Sequence, residues 1–581
     1  MSKNALFAPR LLFAVLLGGL TCLLMACGGS GEPAPDAQDT PQEGETYTLV
    51  LPEGAEEASA AIRGDDLREM VAVLSDDAME GRGPGTPGDE MARQYLIEQL
   101  QAVGLEPGAA DGTWEQGFRL VGVTATAPET WDFEAAGKTL SLKHWDEYIA
   151  ASGVQEETAR VDDAEVVFVG YGIEAPEYGW DDFKGADLSG KVLLMLNNDP
   201  DWDADLFEGD RRLYYGRWTY KYESAARQGA AGAIIIHTDK SAGYNFGVVQ
   251  NSWTGPQFEL PAAGEPRIQV AGWASWEASQ KLAELAGQDL DQLVEQARSK
   301  DFQPVALGVR TSLTLSNEVQ SEAQTSNVLA LLPGSDPTVA DQAIIYTAHH
   351  DHLGRGGMVD DEGDDIFNGA RDNATGTAMV VAIAKAYKAL PTPPRRSILF
   401  AFVGAEEQGL LGSKYYAQNP SIHPGKLVAN INYDSGNIWG PTRDISYIGL
   451  GKSTLDDIAK AAAGLQDRKV LGDQFPDQGL FYRSDQFSLA KIGVPAMYLS
   501  GGTDLIGDPN GKAKMDEWRD KNYHRVNDEL EDNWNFEGMV QDAQVGFFAG
   551  LHISQADEIP AWNPGDEFEA ARLAALAEVG Q

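Results

Sequence analysis

Cysteine is nearly absent from this chain of 581 residues: it has two, Cys22 and Cys27, both within the first 27 positions. The remainder holds no disulfide and offers no thiolate, so a transition-metal site there must be built from His, Asp and Glu. Basic residues are scarce as well, 44 Lys and Arg against 89 Asp and Glu, a net charge of −45. Nucleic acid is excluded as a partner, because neutralising phosphates needs a basic surface. An anionic membrane would repel the body too, and the acidity reads as solvation rather than cation storage. No internal repeat is present. Hydrophobic residues make up 43% and charged ones 23%, the balance of a folded protein, and the length calls for two or more domains.

The first residues stand apart. Lys3 and Arg10 precede an apolar stretch from Leu11 to Leu20, and L-L-M-A-C ends at Cys27, the pattern of a secretory signal. A plain membrane anchor is the alternative, for which Leu11 to Ala26 is a marginal length. The segment resembles a bacterial lipoprotein signal, with Met25 a less usual occupant of its box. That resemblance implies residues 1–27 as signal peptide and Cys27 as the acylated first residue. It places the protein at the periplasmic face of the envelope, on the outer membrane, or at the cell surface, with the lipid as its one membrane contact. Residues 28–54, small, acidic and proline-rich, read as a flexible tether.

Apolar spacing predicts a helix over Asp65 to Asp77, a loop over Gly81 to Gly88, and a second helix capped by Asp89 and ending at Gly104. From 125 to 307 the texture is strands broken by Gly, Pro and Trp, with one helix around Tyr220 to Gln228. From Ser326 onward strands alternate with helices, including a buried helix Gly376 to Ala389. The reading is an α/β protein with a mixed, mostly parallel sheet sandwiched by helices. Its parts are an N-terminal helical piece (55–124), a β-rich insertion (125–307), a catalytic body (308–558) and a C-terminal tail (559–581).

Five short motifs carry chemistry. A-H-H-D-H at 348–352 follows a strand and holds three of the eight histidines; residues two apart share a face, so His349 and Asp351 point the same way. G-A-R-D-N-A-T-G at 369–376 places Asp372 where a buried helix opens, as a ligand or as a plain cap. V-G-A-E-E-Q-G-L-L-G-S at 403–413 puts Glu406 and Glu407 at a strand end, where adjacent buried acids need a positive partner. N-I-N-Y-D at 430–434 ends in Asp434, and N-Y-H-R-V-N-D at 522–528 holds His524 and Asp528. Each signal alone is weak. Together they gather His and carboxylates at the ends of successive strands, a donor set for zinc, or for cobalt or manganese.

In combination these motifs resemble the co-catalytic zinc aminopeptidase family, which includes secreted bacterial leucyl aminopeptidases, glutamate carboxypeptidase and the catalytically silent transferrin receptor. F-V-G-Y-G-I-E-A-P-E at 168–177 and Y-G-R-W-T-Y-K at 215–221 make the insertion resemble a protease-associated (PA) domain. The resemblance implies two zinc ions per chain. His349, Asp372 and Asp434 would hold one, and Asp372, Glu407 and His524 the other. Glu406 would be the general base for a metal-bridging water, Asp351 would orient His349 and Asp528 would orient His524. Peptides would be cut from the N-terminus. A carboxypeptidase or dipeptidase on the same scaffold, a one-zinc glutaminyl cyclase and a non-catalytic receptor-like protein stay open as alternatives. Where relatives have Ser-Asp-His, this chain has Ser484, Asp485 and Gln486, and Tyr482 is the nearby candidate for contact with substrate. His350 and His352, outside the ligand pattern, read as local hydrogen-bonding or rim residues.

Two further signals fail. G-L-G-K-S at 449–453 lacks the first glycine of a phosphate loop, Ser446 standing there. The acidic run Asp199 to Asp210 has calcium-loop spacing, but Ala204 replaces the required glycine and Asp210 the bidentate glutamate. His144, His237, His423 and His552 match no motif and read as structural or exposed.

Overall fold

The computed structural model describes residues 47–253, 255–320, 323–356 and 363–580. The signal segment, Cys27 and most of the tether lie outside them. Four strands form the parallel centre of a nine-stranded mixed sheet, side by side in the order Ser397–Val403, Ala343–His349, Leu427–Tyr433 and Ala496–Gly501. Antiparallel neighbours flank them, Gln324–Leu332 on one side and Asp444–Ile448 on the other. Three of the central strands, all but Ala496–Gly501, are buried along their whole length, as apolar runs covered on both faces must be. Register pairs His349 with Val403 and Thr347 with Asn432, so the ends that bear the motifs finish at one level.

Helices Gly376–Ala389 and Glu537–Gln555 cover one face, and Leu411–Gln418 and Gln486–Lys491 the other. The long C-terminal helix lies close because of two glycines. A Cβ at Gly546 or Gly550 would stand 1.9 Å from the hydroxyls of Tyr433 and Tyr346. Those hydroxyls donate to Asp542 O at 3.0 Å and Gly546 O at 2.9 Å, tying helix to sheet. Among the described residues no helix is long and apolar enough to cross a membrane.

Several expected boundaries move. The second helix is Pro87–Val103, and its cap is Thr86, whose side chain accepts from Asp89 N; Asp89 instead accepts from Gly85 N and His350 Nε2. A second, ten-stranded sheet takes in Val121–Thr126 and the whole of Val305–Gln320, so one strand runs across the boundary expected between 307 and 308. Residues 559–580 are no loose tail. Trp562 is buried with its indole N–H on Gly493 O, and Arg572 is buried donating to Leu427 O at 2.8 Å. The last tether residues are docked as well, Val50 N donating to His552 Nδ1 at 2.8 Å. Burial and hydrogen bonding fix all three segments, which hydrophobic spacing alone could not reveal.

Candidate metal centre

Three of the four parallel strands end in a group of acids and imidazoles. His349 closes its strand, Glu406 and Glu407 follow theirs after a short turn, and Asp434 directly follows Tyr433. Asp372 sits in the kinked turn 370–375 before the buried helix, and His524 follows helix Gly511–Asn522. The backbone is left-handed at Ala405, Ser435 and His524 (φ 57°, 76° and 56°). A side chain held there costs on the order of 1 kcal/mol, and such residues gather where a site is over-determined.

Asp372 stands between two imidazoles. Asp372 Oδ1 stands 3.3 Å from His349 Nε2, and Asp372 Oδ2 stands 3.2 Å from His524 Nε2. Asp434 Oδ1 is 3.4 Å from the same His349 nitrogen, and Glu407 Oε2 is 3.2 Å from the same His524 nitrogen. Two ligand atoms on one tetrahedral zinc, with bonds of about 2.0–2.1 Å, lie about 3.3 Å apart. All four separations match that spacing. Asp372 Oδ1 is also buried without a hydrogen-bond partner. The donor set therefore fits two cations, one on each side of Asp372. An alternative grouping joins His352, rather than His524, to Asp372 and Glu407. His352 Nδ1 lies 2.7 Å from Glu407 Oε1, a hydrogen-bond length too short for two ligands of one tetrahedral ion. His524 fits better.

Both orienting acids act differently from expectation. His349 Nδ1 is 3.2 Å from the main-chain carbonyl of Asp351 and 3.9 Å from its carboxylate, beyond hydrogen-bond reach. The Asp351 carboxylate instead accepts from the amides of Glu406 at 3.0 Å and Glu407 at 3.4 Å, and burial pushes it up to about 8. Asp528 does not touch His524. It accepts from the amides of Arg371 at 2.8 Å and Asp372 at 3.0 Å, and its carbonyl accepts from Ala370 N. Each acid clamps the backbone of a loop that bears a carboxylate ligand, because amides at a tight turn lack helix or sheet partners.

Tyr482 is turned elsewhere. Its ring is buried and its hydroxyl donates to Glu567 at 2.5 Å. Ser484 Oγ and Gln486 Oε1 both accept from the Asn432 amide, at 2.8 and 2.9 Å, so this stretch props the end of a central strand. His350 is buried on Asp89 at 3.1 Å, and His352 is equally buried, so neither is a rim residue. Lys452 of the G-L-G-K-S stretch is buried between Asp566 at 2.8 Å and Glu567 at 3.0 Å. Asp199 accepts from Leu213 N at 2.8 Å.

Spacing missed three neighbours. Tyr523 stacks on His524, centroids 3.9 Å apart, with 45% of the residue exposed. Arg371 sits against two perpendicular indoles, Trp439 and Trp518, 5.1 and 5.2 Å from their centroids, and donates to Gly436 O. Arg82, 1% exposed, donates to four main-chain carbonyls behind the site. A lone Arg between glycines carries no signal that it will be buried.

Charge is crowded here. The Glu406 carboxyl is held well above the ordinary carboxylate range, first by burial and then by Asp434, Glu407 and Asp485, against the pull of His349. Burial pushes the imidazole of His524 down, but Glu407 and Asp372 outweigh it and lift it to about 10. Strong shifts of an acid and an imidazole within one cluster mark a place built for charge and proton handling.

Residues 327–547, which hold the whole cluster, match peptidase family M28. Leupeptin-inactivating enzyme 1 of Streptomyces exfoliatus is 26% identical over 268 residues, 44% of this chain and 54% of that protein, so the chain spans about half of that relative. The probable leucine aminopeptidase 2 of Aspergillus fumigatus is 24% identical over 395 residues, 64% of this chain and 68% of that one. Among solved structures, the aminopeptidase from Aneurinibacillus sp. strain AM-1 aligns over 87% of this chain and 97% of its own at 19% identity, with a TM-score of 0.47. The segment of this chain that carries the cluster is thus the part that is similar to peptidase family M28.

Proposed function

We propose that the chain is a zinc aminopeptidase with two cations per chain, acting on peptides with a free N-terminus. The carrying observation is Asp372, whose two oxygens each face a different imidazole at the spacing of ligands on a shared cation. Two zinc ions held there would lower the pKa of a bound water toward neutrality and polarise the scissile carbonyl. Glu406 takes the proton of the attacking water and returns it to the leaving amine, a task suited to a carboxyl held above its usual range. Asp351 fixes the Glu406 main chain by accepting its amide, which leaves the carboxylate, grouped with His349 and Glu407, free of that bond. The relatives' names, a leupeptin-inactivating enzyme and a leucine aminopeptidase, support peptide substrates and cutting from the N-terminus.

An aminoacyl anilide is the direct test. Hydrolysis is expected from the free-amine substrate and to vanish when that amine is acetylated; equal turnover of both would support a carboxypeptidase or dipeptidase instead. Metal analysis of the same preparation should give close to two ions per chain, and one ion would favour the cyclase chemistry.

The same proposal includes export and a lipid anchor on Cys27, supported by the lipoprotein-like signal, with the β-rich insertion as a PA domain. Wild-type activity is expected in the membrane fraction and that of Cys27→Ser in the soluble fraction. An unchanged distribution would remove the anchor.

A further inference from the structure

Glu407 has an imidazole on each side. Its Oε2 lies 3.2 Å from His524 Nε2, while its Oε1 lies 2.7 Å from His352 Nδ1. An ionised carboxylate only accepts, so His352 Nδ1–H is the donor. The His352 side chain is fully buried, edge-on to the His524 ring at 5.9 Å, and its Nε2 has no hydrogen-bond partner. Its seat depends on Gly369, where a Cβ would stand 2.5 Å from ring atoms of His352. The surroundings thus make room for an imidazole whose side-chain hydrogen bond, among the described residues, goes to Glu407.

A competing cation arrangement gives that bond its meaning. His349, Glu406 and Glu407 also offer ligand atoms that all lie within 4.8 Å of one another. A cation chelated by both glutamates would occupy the carboxylate that has to move the proton. Both arrangements draw on Glu407, so they compete for its oxygens.

We propose that His352 is a positioning residue that holds Glu407 Oε1, leaves Oε2 as the ligand atom toward His524 and Asp372, and thereby keeps Glu406 free of metal. The inference rests on the two-cation reading above. It adds a residue outside the ligand pattern that selects between two ways of loading one set of acids.

Zinc titration of metal-free protein against a chromophoric chelator tests it, with the cobalt(II) absorption spectrum as a second readout. His352→Asn keeps an N–H donor close to the Nδ1 position, and His352→Leu fills similar space without one. Wild type and His352→Asn are expected to take two ions with similar affinity. His352→Leu should bind the second ion about 10–100-fold more weakly, the usual cost of losing a partner that orients a metal ligand, with an altered cobalt spectrum. Wild-type affinity for the second ion in His352→Leu, or equal losses in both variants, would overturn the proposal. Fewer than two ions in wild type would overturn the two-cation reading instead, which separates the two failures.

Discussion

Glu406→Gln should lower kcat on an aminoacyl anilide by about 10²–10⁴-fold, the range spanned by general acid–base catalysis, while the protein still binds both ions. The amide has nearly the shape of the carboxyl but cannot accept the proton. The main chain around it is anchored independently of the side chain: Glu406 N donates to Asp351 at 3.0 Å, and Glu406 O accepts from Gly409 and Leu410 N at 2.8 Å. His349, Asp372, Glu407, Asp434 and His524 are untouched. Steady-state kinetics on metal-quantified protein decide the matter. Near-normal kcat removes Glu406 as the base, and loss of metal along with activity would mean that Glu406 is itself a ligand.

Arg82→Met should destabilise the fold by more than about 4 kcal/mol, a size reserved for changes with a specific buried mechanism. The guanidinium donates to His350 O at 2.8 Å, Leu74 O at 2.5 Å, Asn368 O at 2.6 Å and Gly369 O at 2.9 Å. Methionine fills much of the same space and offers no donor, and each buried carbonyl left alone costs about 1–3 kcal/mol. Removing a buried cation does relieve desolvation, since burial lowers the Arg82 pKa to about 10. That relief is offset because Asp351, Asp528, Asp372 and Glu407 lose a nearby positive charge in an already acid-rich site. Two of the four carbonyls belong to the turn before Asp372 and one to the segment after His349, so metal affinity should fall with stability. Chemical denaturation of metal-free protein measures the first effect. A loss under about 1 kcal/mol, no more than one ordinary hydrogen bond, would show that water or a shifted loop replaces the fork.

Much of the clustering of these side chains could be read from the chain because it follows from strand periodicity. A buried apolar run followed at once by His349, by Glu406 and Glu407, or by Asp434 puts polar groups at a strand end, and parallel strands bring their carboxyl ends to one edge. The helix Gly376–Ala389 was equally legible, being apolar nearly all round. The outer layer was not. Asp351 and Asp528 were expected to hold imidazoles and instead hold amides of other loops, 55 or more positions away. Asp89 was expected to cap its own helix and pairs with His350 at 3.1 Å, 261 positions on. Such partners are set by how loops meet, and no local pattern encodes that.

By itself the sequence determined which chemistry was possible: without cysteine in the body, oxygen and imidazole ligands alone could make a metal site, and their placement after buried strands named the edge where it would form. Tertiary structure decided which atoms face which. It turned one oxygen of Asp372 to each imidazole, put His352 rather than a main-chain donor on Glu407, and sent Tyr482 to Glu567 while stacking Tyr523 on His524. The reason is one of range. Strand and helix periods act over a few residues, whereas hydrogen-bond partners in a buried site are chosen among groups tens to hundreds of positions apart that only packing brings within 3 Å or so of each other.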